Sequence, residues 1–93
     1  MKFDIRPSNQ FKKDVKLAKK RGLNLDLLIE TIDKLANGEI LDVKYKDHQL
    51  TGNYSTFREC HIQPNWLLIY LKEEDVMVLT LIDTGTHSDL FKM

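Results

Sequence analysis

The order of hydrophobic periods along the chain predicts an α+β domain: an N-terminal strand, then a two-helix hairpin packed on a small antiparallel sheet of three to four strands. Three observations predict it. Alternation opens the chain at Phe3 and Ile5, helical spacing governs Phe11 to Ala36, and from Tyr54 onward apolar runs of strand length are separated by turn signals. The 93 residues suffice for one hydrophobic core, so residues 1–93 read as a single domain.

Phe3 and Ile5 alternate with Asp4 and Arg6, and Pro7, which cannot donate to a sheet ladder, ends this first strand. Ser8 or Asn9 caps the next helix by accepting from a free amide of its first turn. Phe11, Val15 and Ala18 share one face of that helix, and Gly22 stops it. Asn24 caps a second helix, in which Leu28, Ile32 and Leu35 recur beside Leu25, Ile29 and Ala36 until Asn37-Gly38. The short link between them makes the two helices an antiparallel hairpin.

Glu39 to Asn53 holds no period and reads as an ordered loop that delivers Lys44, Lys46 and His48 to the sheet, with a turn at Gly52-Asn53. Strands are expected over Tyr54 to Ile62 and Trp66 to Leu71, and Pro64 forces a turn between them. Lys72 to Asp75 is a polar hairpin loop. Val76 to Ile82, apolar at nearly every position, reads as a central strand covered on both faces. Thr84-Gly85-Thr86 then leaves that strand and presents His87, ahead of a short tail from Ser88 to Met93 that contains Leu90 and Phe91.

A hydrophobic fraction of 42% with 30% charged residues is that of a soluble globular protein and excludes a disordered chain. No apolar run approaches the roughly 20 residues of a membrane span, and the opening Met-Lys-Phe-Asp-Ile-Arg has no long apolar signal region. The expected compartment is the cytoplasm, with no membrane partner; the lone Cys60, unable to form an internal disulfide, fits a reducing environment. Fourteen basic and fourteen acidic residues cancel, so net charge names no partner. Lys12, Lys13, Lys16, Lys19, Lys20 and Arg21 nevertheless crowd one segment, either as the wet side of a helix or as a local phosphate-binding face.

The stretch from Phe57 to Tyr70 carries Arg58, His61 and Trp66 where a packed core takes apolar groups. With His48 before it and His87 after it, every histidine lies in the second half of the chain, on or beside the expected sheet. Alternation puts Arg58, Cys60 and Ile62 on one face and Phe57, Glu59 and His61 on the other, while Trp66, Leu68 and Tyr70 share a face. Cys60 and His61 therefore point to opposite sides, and the histidines are far apart in sequence, so no metal site and no cofactor are expected. Cys60 reads as an inert, half-buried thiol. Glycine-rich phosphate loops are absent.

What remains suits RNA. Cutting RNA without a metal requires a base for the 2′-hydroxyl proton, an acid for the leaving 5′-oxygen and positive charge at the phosphate. His48, His61 and His87 are the candidate proton carriers, since imidazoles titrate near neutrality. Arg58, Lys44 and Lys46 are candidate phosphate ligands, and Trp66 or Phe91 a stacking surface for an exposed base. Taken one at a time, each histidine also fits a hydrogen-bonded structural role.

Three motifs carry a family resemblance. Lys46-Asp47-His48-Gln49-Leu50-Thr51-Gly52, the run from Arg58 to Tyr70, and Thr84-Gly85-Thr86-His87-Ser88-Asp89-Leu90-Phe91 resemble, in order, the YafQ branch of the RelE-like toxins of bacterial type II toxin–antitoxin systems. The helix segment Lys13-Asp14-Val15-Lys16-Leu17-Ala18 is similar too. The resemblance implies a RelE-like fold and a ribosome-dependent endoribonuclease, an mRNA interferase that cuts translated messenger RNA without a metal. It also implies a cognate antitoxin that blocks the site, and contact with operator DNA through that antitoxin. His48, His61, Trp66, His87 and Phe91 match the family's functional positions. His87 is then the acid, while His48 and His61 share base and phosphate-stabilising roles.

Two positions depart from the pattern. Asn65 stands where the family usually has aspartate, and Asp83 where the branch has arginine. Asparagine cannot act as a general base at neutral pH. Asp83 puts a repelling charge where a phosphate contact is expected, a difference of several kcal/mol at about 4 Å and an effective dielectric of about 20. A weakened or inactive toxin that still binds its antitoxin is the alternative reading.

Overall fold

The computed structural model describes residues 2–91. Five strands and three helices succeed one another in the order β1 (Asp4–Pro7), α1 (Asn9–Lys20), α2 (Leu25–Ala36), β2 (His48–Gln49), β3 (Arg58–Gln63), β4 (Trp66–Glu73), β5 (Val78–Gly85) and α3 (His87–Phe91). Single 3₁₀ turns at Val43–Tyr45 and Gly52–Tyr54 punctuate the segment between α2 and β3. The α+β class is as expected, but the sheet is larger and mixed. Its order is β1-β5-β4-β3-β2, with β1 parallel to β5 and every other pair antiparallel.

Local chemistry sets the helix ends. Ser8 accepts from the Phe11 amide and caps α1, and Asn24 accepts from the Asp26 amide and caps α2. Gly22 and Gly38 adopt the left-handed conformation just past the helices and close them. Both helices lie on one face of the sheet. Phe11 and Ala18 of α1 and Leu28, Leu35 and Ala36 of α2 share a core with Cys60, Trp66, Leu68, Tyr70, Leu79 and Leu81.

Several boundaries differ from the sequence reading. The loop before β3 contains the short edge strand β2, paired to β3 through His48–Glu59 and Gln49–Arg58. Tyr54 to Phe57 precede β3 rather than belonging to it, because the 3₁₀ turn and the turn residues Ser55 and Thr56 after it come first. Val76 and Met77 are exposed turn residues, with Met77 in the left-handed region, and β5 runs on through Thr84 and Gly85. His87 opens α3 instead of a tail; Lys92 and Met93 lie outside the described residues.

The register between β4 and β5 decides which side chains reach each face. Ile69 pairs with Asp83 but Tyr70 pairs with Leu81, so a bulge absorbs Ile82. Leu81 therefore faces the helices with Tyr70, while Asp83, two residues on, faces the other side with Ile69.

Candidate functional site

The face of the sheet turned away from the helices is unusually polar for one that covers buried leucine and isoleucine. His48, Glu59, Ile69 and Asp83 form one row across β2, β3, β4 and β5, and His61, Leu67 and Gly85 form the next. Leu67, Ile69 and Glu59 are all buried. A buried carboxylate needs partners, and Glu59 has two imidazoles: Oε1 lies 3.4 Å from His61 Nε2 and 3.7 Å from His48 Nε2.

Each ring is held a second way. His48 Nδ1 lies 2.7 Å from the Lys46 carbonyl oxygen, which can only accept, so Nδ1 donates there while Nε2 faces Glu59. Lys46 adopts the left-handed conformation and so turns that carbonyl back toward the ring. His61 stands edge-on to His87, with centroids 6.0 Å apart. His87 in turn lies 5.8 Å from Phe91, and Phe91 meets Tyr54 edge-on at 5.4 Å. His61 is half-buried and His87 exposed, at the end of the sheet where β3 turns into β4 and β5 ends.

The structure thus brings His48, His61, His87 and Phe91 into one connected group. Lys44 and Lys46 join it from the side, lining a cavity of about 470 Å³ with His61, Gln63 and Pro64. Asn65, in the β3–β4 turn, lines a second hollow of about 320 Å³ with Thr86, His87 and Ser88.

Two expected site residues are elsewhere. Arg58 lies on the helix side with Cys60, where Nη2 reaches Asp47 Oδ2 at 3.3 Å and Nε donates to Tyr70 Oη at 3.3 Å. It pairs with Asp47 on the face opposite the histidines, so its expected place beside them is corrected. Trp66 is 2% exposed, and its Nε1 donates to Thr84 Oγ1 at 2.9 Å. An indole enclosed by the core has no free face for a base, so the stacking role is corrected as well; alternation with Leu68 and Tyr70 turns it inward.

Other side chains belong to the site without having been singled out. Glu59 shares the parity of His61, the signal that identifies it. Tyr54 had no signal, because its partner Phe91 is remote in sequence. Thr86 and Asp89 form the pattern Thr-x-x-Asp, a legible helix start. Cys60 is fully buried, and desolvation, followed by the nearby Asp47 and Glu59 charges, pushes its thiol far above the ordinary range. It is no nucleophile. Among the described residues, no three His, Cys, Asp or Glu side chains are arranged to hold a metal ion.

Comparison with known proteins agrees with this architecture. Residues 3–92 match the family described as "Bacterial toxin of type II toxin-antitoxin system, YafQ". The Escherichia coli K12 protein named "mRNA interferase toxin YafQ" is 40% identical over 89 residues, 95% of each chain. The toxin fold of the E. coli DinJ–YafQ complex superposes with a TM-score of 0.88 at 40% identity, covering 96% of this chain and 98% of that one. A metal-bound toxin from Helicobacter pylori superposes at 0.89 with 42% identity, covering 96% and 99%.

The class is therefore that of the toxins of bacterial type II toxin–antitoxin systems, and within that class the chain belongs to the YafQ family.

Proposed function

We propose that this toxin is an mRNA interferase, an endoribonuclease that enters the translating ribosome in the cytoplasm and cuts messenger RNA by acid–base chemistry without a metal. One observation carries the reading: imidazoles from three separate segments converge on one sheet face, two of them on the Glu59 carboxylate and two of them 6.0 Å apart. In the proposed reaction His61 or His48 takes the 2′-hydroxyl proton, the 2′-oxygen bonds to phosphorus, and the P–O5′ bond breaks as His87 gives that oxygen a proton. Lys44 and Lys46 flank the group and offset charge on the phosphate, and Phe91, in contact with His87, offers its ring to a base. The named E. coli relative supports the substrate class. The DinJ–YafQ complex supports a cognate antitoxin as partner, and contact with operator DNA through that antitoxin is part of the same proposal.

A second reading has its own observation. Asp83 shares the cross-strand row of Glu59 and His48, and Asn65 sits at the mouth beside His87, so the face carries extra negative charge and lacks one carboxylate at the turn. In that reading the toxin binds its antitoxin and cuts weakly or not at all.

Expression without antitoxin decides between them. The first reading expects growth arrest and new cuts in translated messenger RNA, mapped by primer extension, that vanish in His87→Ala. Harmless expression with no new cuts overturns it, and toxicity gained by Asn65→Asp with Asp83→Arg then establishes the second. The metal-bound Helicobacter pylori relative makes a chelator arm necessary. Cleavage by the purified toxin on programmed ribosomes should survive EDTA at metal-chelating, ribosome-preserving concentrations; loss there, reversed by a transition metal, overturns metal independence.

A further inference from the structure

We propose that Asp89, gripped by Arg21, is the positioning residue for His87. The inference rests on the cleavage reading and deepens it. Helix α3 has five residues, far fewer than the roughly 12–15 a helix needs to persist alone in water, so its placement must come from outside itself. Most of the polar anchoring converges on one carboxylate. Asp89 Oδ2 accepts from the Thr86 amide at 3.0 Å, while the Asp89 amide donates to Thr86 Oγ1 at 3.1 Å, a reciprocal cap that encloses the two residues between them in the chain, His87 and Ser88.

The same carboxylate is tied to the body of the domain. Arg21 Nη1 donates to Asp89 Oδ2 at 2.6 Å and Nη2 to Oδ1 at 3.3 Å, a two-point fork across 68 residues of sequence. Arg21 is itself fixed as the C-cap of α1, its amide donating to the Leu17 carbonyl at 3.0 Å. Immediately before α3, the Thr84 amide donates to Asp14 of α1 at 3.1 Å. Gly85 completes the fit: a Cβ there would stand 3.0 Å from both Cβ and Oδ2 of Asp89, closer than an ordinary carbon contact. The chain entering and leaving His87 is thus held to one helix at two points, and the imidazole is delivered to His61 by that hold.

Because Arg21 and Asp89 are both partly exposed, their pairing contributes little to overall stability, whereas a misplacement of about 1 Å at a reacting group can cost about a hundredfold in rate. The separation of those two effects is the test. Asp89→Ala, Asp89→Asn and Arg21→Met are compared with wild type in single-turnover cleavage on programmed ribosomes, in urea midpoint, and in the NMR cross-relaxation between the His61 and His87 ring protons. Asp89→Ala should lower the maximal rate about tenfold to a hundredfold with KM within about twofold, keep the urea midpoint, and lose the His61–His87 signal. Asp89→Asn keeps the side-chain oxygen that caps Thr86 and should fall between wild type and Asp89→Ala, as should Arg21→Met. An unchanged rate with the ring signal intact in Asp89→Ala overturns the proposal. So does a rate loss that tracks the urea midpoint alone. Wild-type protein that does not cleave overturns the nuclease reading instead, and the ring signal still decides whether Asp89 places His87.

Discussion

Glu59 Oε1 stands 3.4 Å from His61 Nε2, on a carboxylate whose side chain is 4% exposed and cannot turn away to water. The same oxygen reaches His48 Nε2 at 3.7 Å, so one buried group orients two of the three imidazoles. Charge and shape can be separated at this position. Glu59→Gln keeps the volume and removes the charge, and it should reduce cleavage about tenfold to a hundredfold, the range seen when the carboxylate partners of metal-bound histidines are removed. Toxicity and single-turnover cleavage measure it; wild-type rates in Glu59→Gln would show that the carboxylate only fills space.

Trp66 gives the opposite kind of expectation. Its indole is enclosed by the core and hydrogen-bonded to the buried Thr84 hydroxyl, which itself donates to the Leu67 carbonyl. Trp66→Ala should cost about 3–5 kcal/mol and Trp66→Phe about 1–3 kcal/mol, read from urea unfolding. Cleavage per folded molecule should stay near wild type in Trp66→Phe. A large loss of rate in a fully folded Trp66→Phe protein would return the indole to the substrate.

The contrast between these residues shows what was legible in the sequence. Helix positions came from periodicity and caps, because Ser8 and Asn24 act within a few residues of the amides they satisfy. Alternation separated His61 from Arg58 and already turned Trp66 toward Leu68 and Tyr70. The need for a stacking aromatic, and then the motif resemblance, set Trp66 in the site although alternation turned it toward Leu68 and Tyr70, and the structure sides with alternation. Strand β2 was invisible because two residues cannot display a period, and the parallel β1–β5 pair depends on register alone. The bulge at Ile82 was invisible too, since it places Leu81 and Asp83, which alternation alone would set on one face, on opposite faces of the sheet. The edge-on contact of Tyr54 with Phe91 has no local signature whatever.

On the helix side of the sheet, Tyr70 Oη donates to Asp47 Oδ1 and accepts from Arg58 Nε, while Arg58 Nη2 meets Asp47 Oδ2. Burial, together with the Asp47 carboxylate, pushes the phenol far above its ordinary range, so it remains a neutral donor. Tyr70→Phe removes a hydrogen bond to a charged acceptor and should cost about 1.5–3 kcal/mol in urea unfolding. The loss should shrink when Asp47→Asn is already present, because the two changes act on one network. Equal losses in both backgrounds would mean that the contact contributes nothing of its own.

Acid should act on the anchoring of α3 later than on ordinary surface carboxylates. The Arg21 guanidinium, with the Thr86 amide, holds the Asp89 carboxyl well below the usual carboxylate range. A group whose folded pKa is depressed contributes stability that is fully present above its unfolded value, about 3.9 for aspartate, and is lost as pH falls through the folded value. Asp89 therefore stays ionised in the native protein from pH 8 down through pH 5, the range in which imidazoles ordinarily titrate. Within it, Asp89→Asn should lower the cleavage rate by a constant factor without moving the inflections of the pH–rate profile. The partly exposed pair gives wild type at most a slight advantage in unfolding free energy over Asp89→Asn, and below about pH 4 even that should narrow as it is titrated away. A profile for Asp89→Asn whose inflections shift between pH 5 and 8 would show that this carboxylate acts on proton transfer through its charge and not by placing His87.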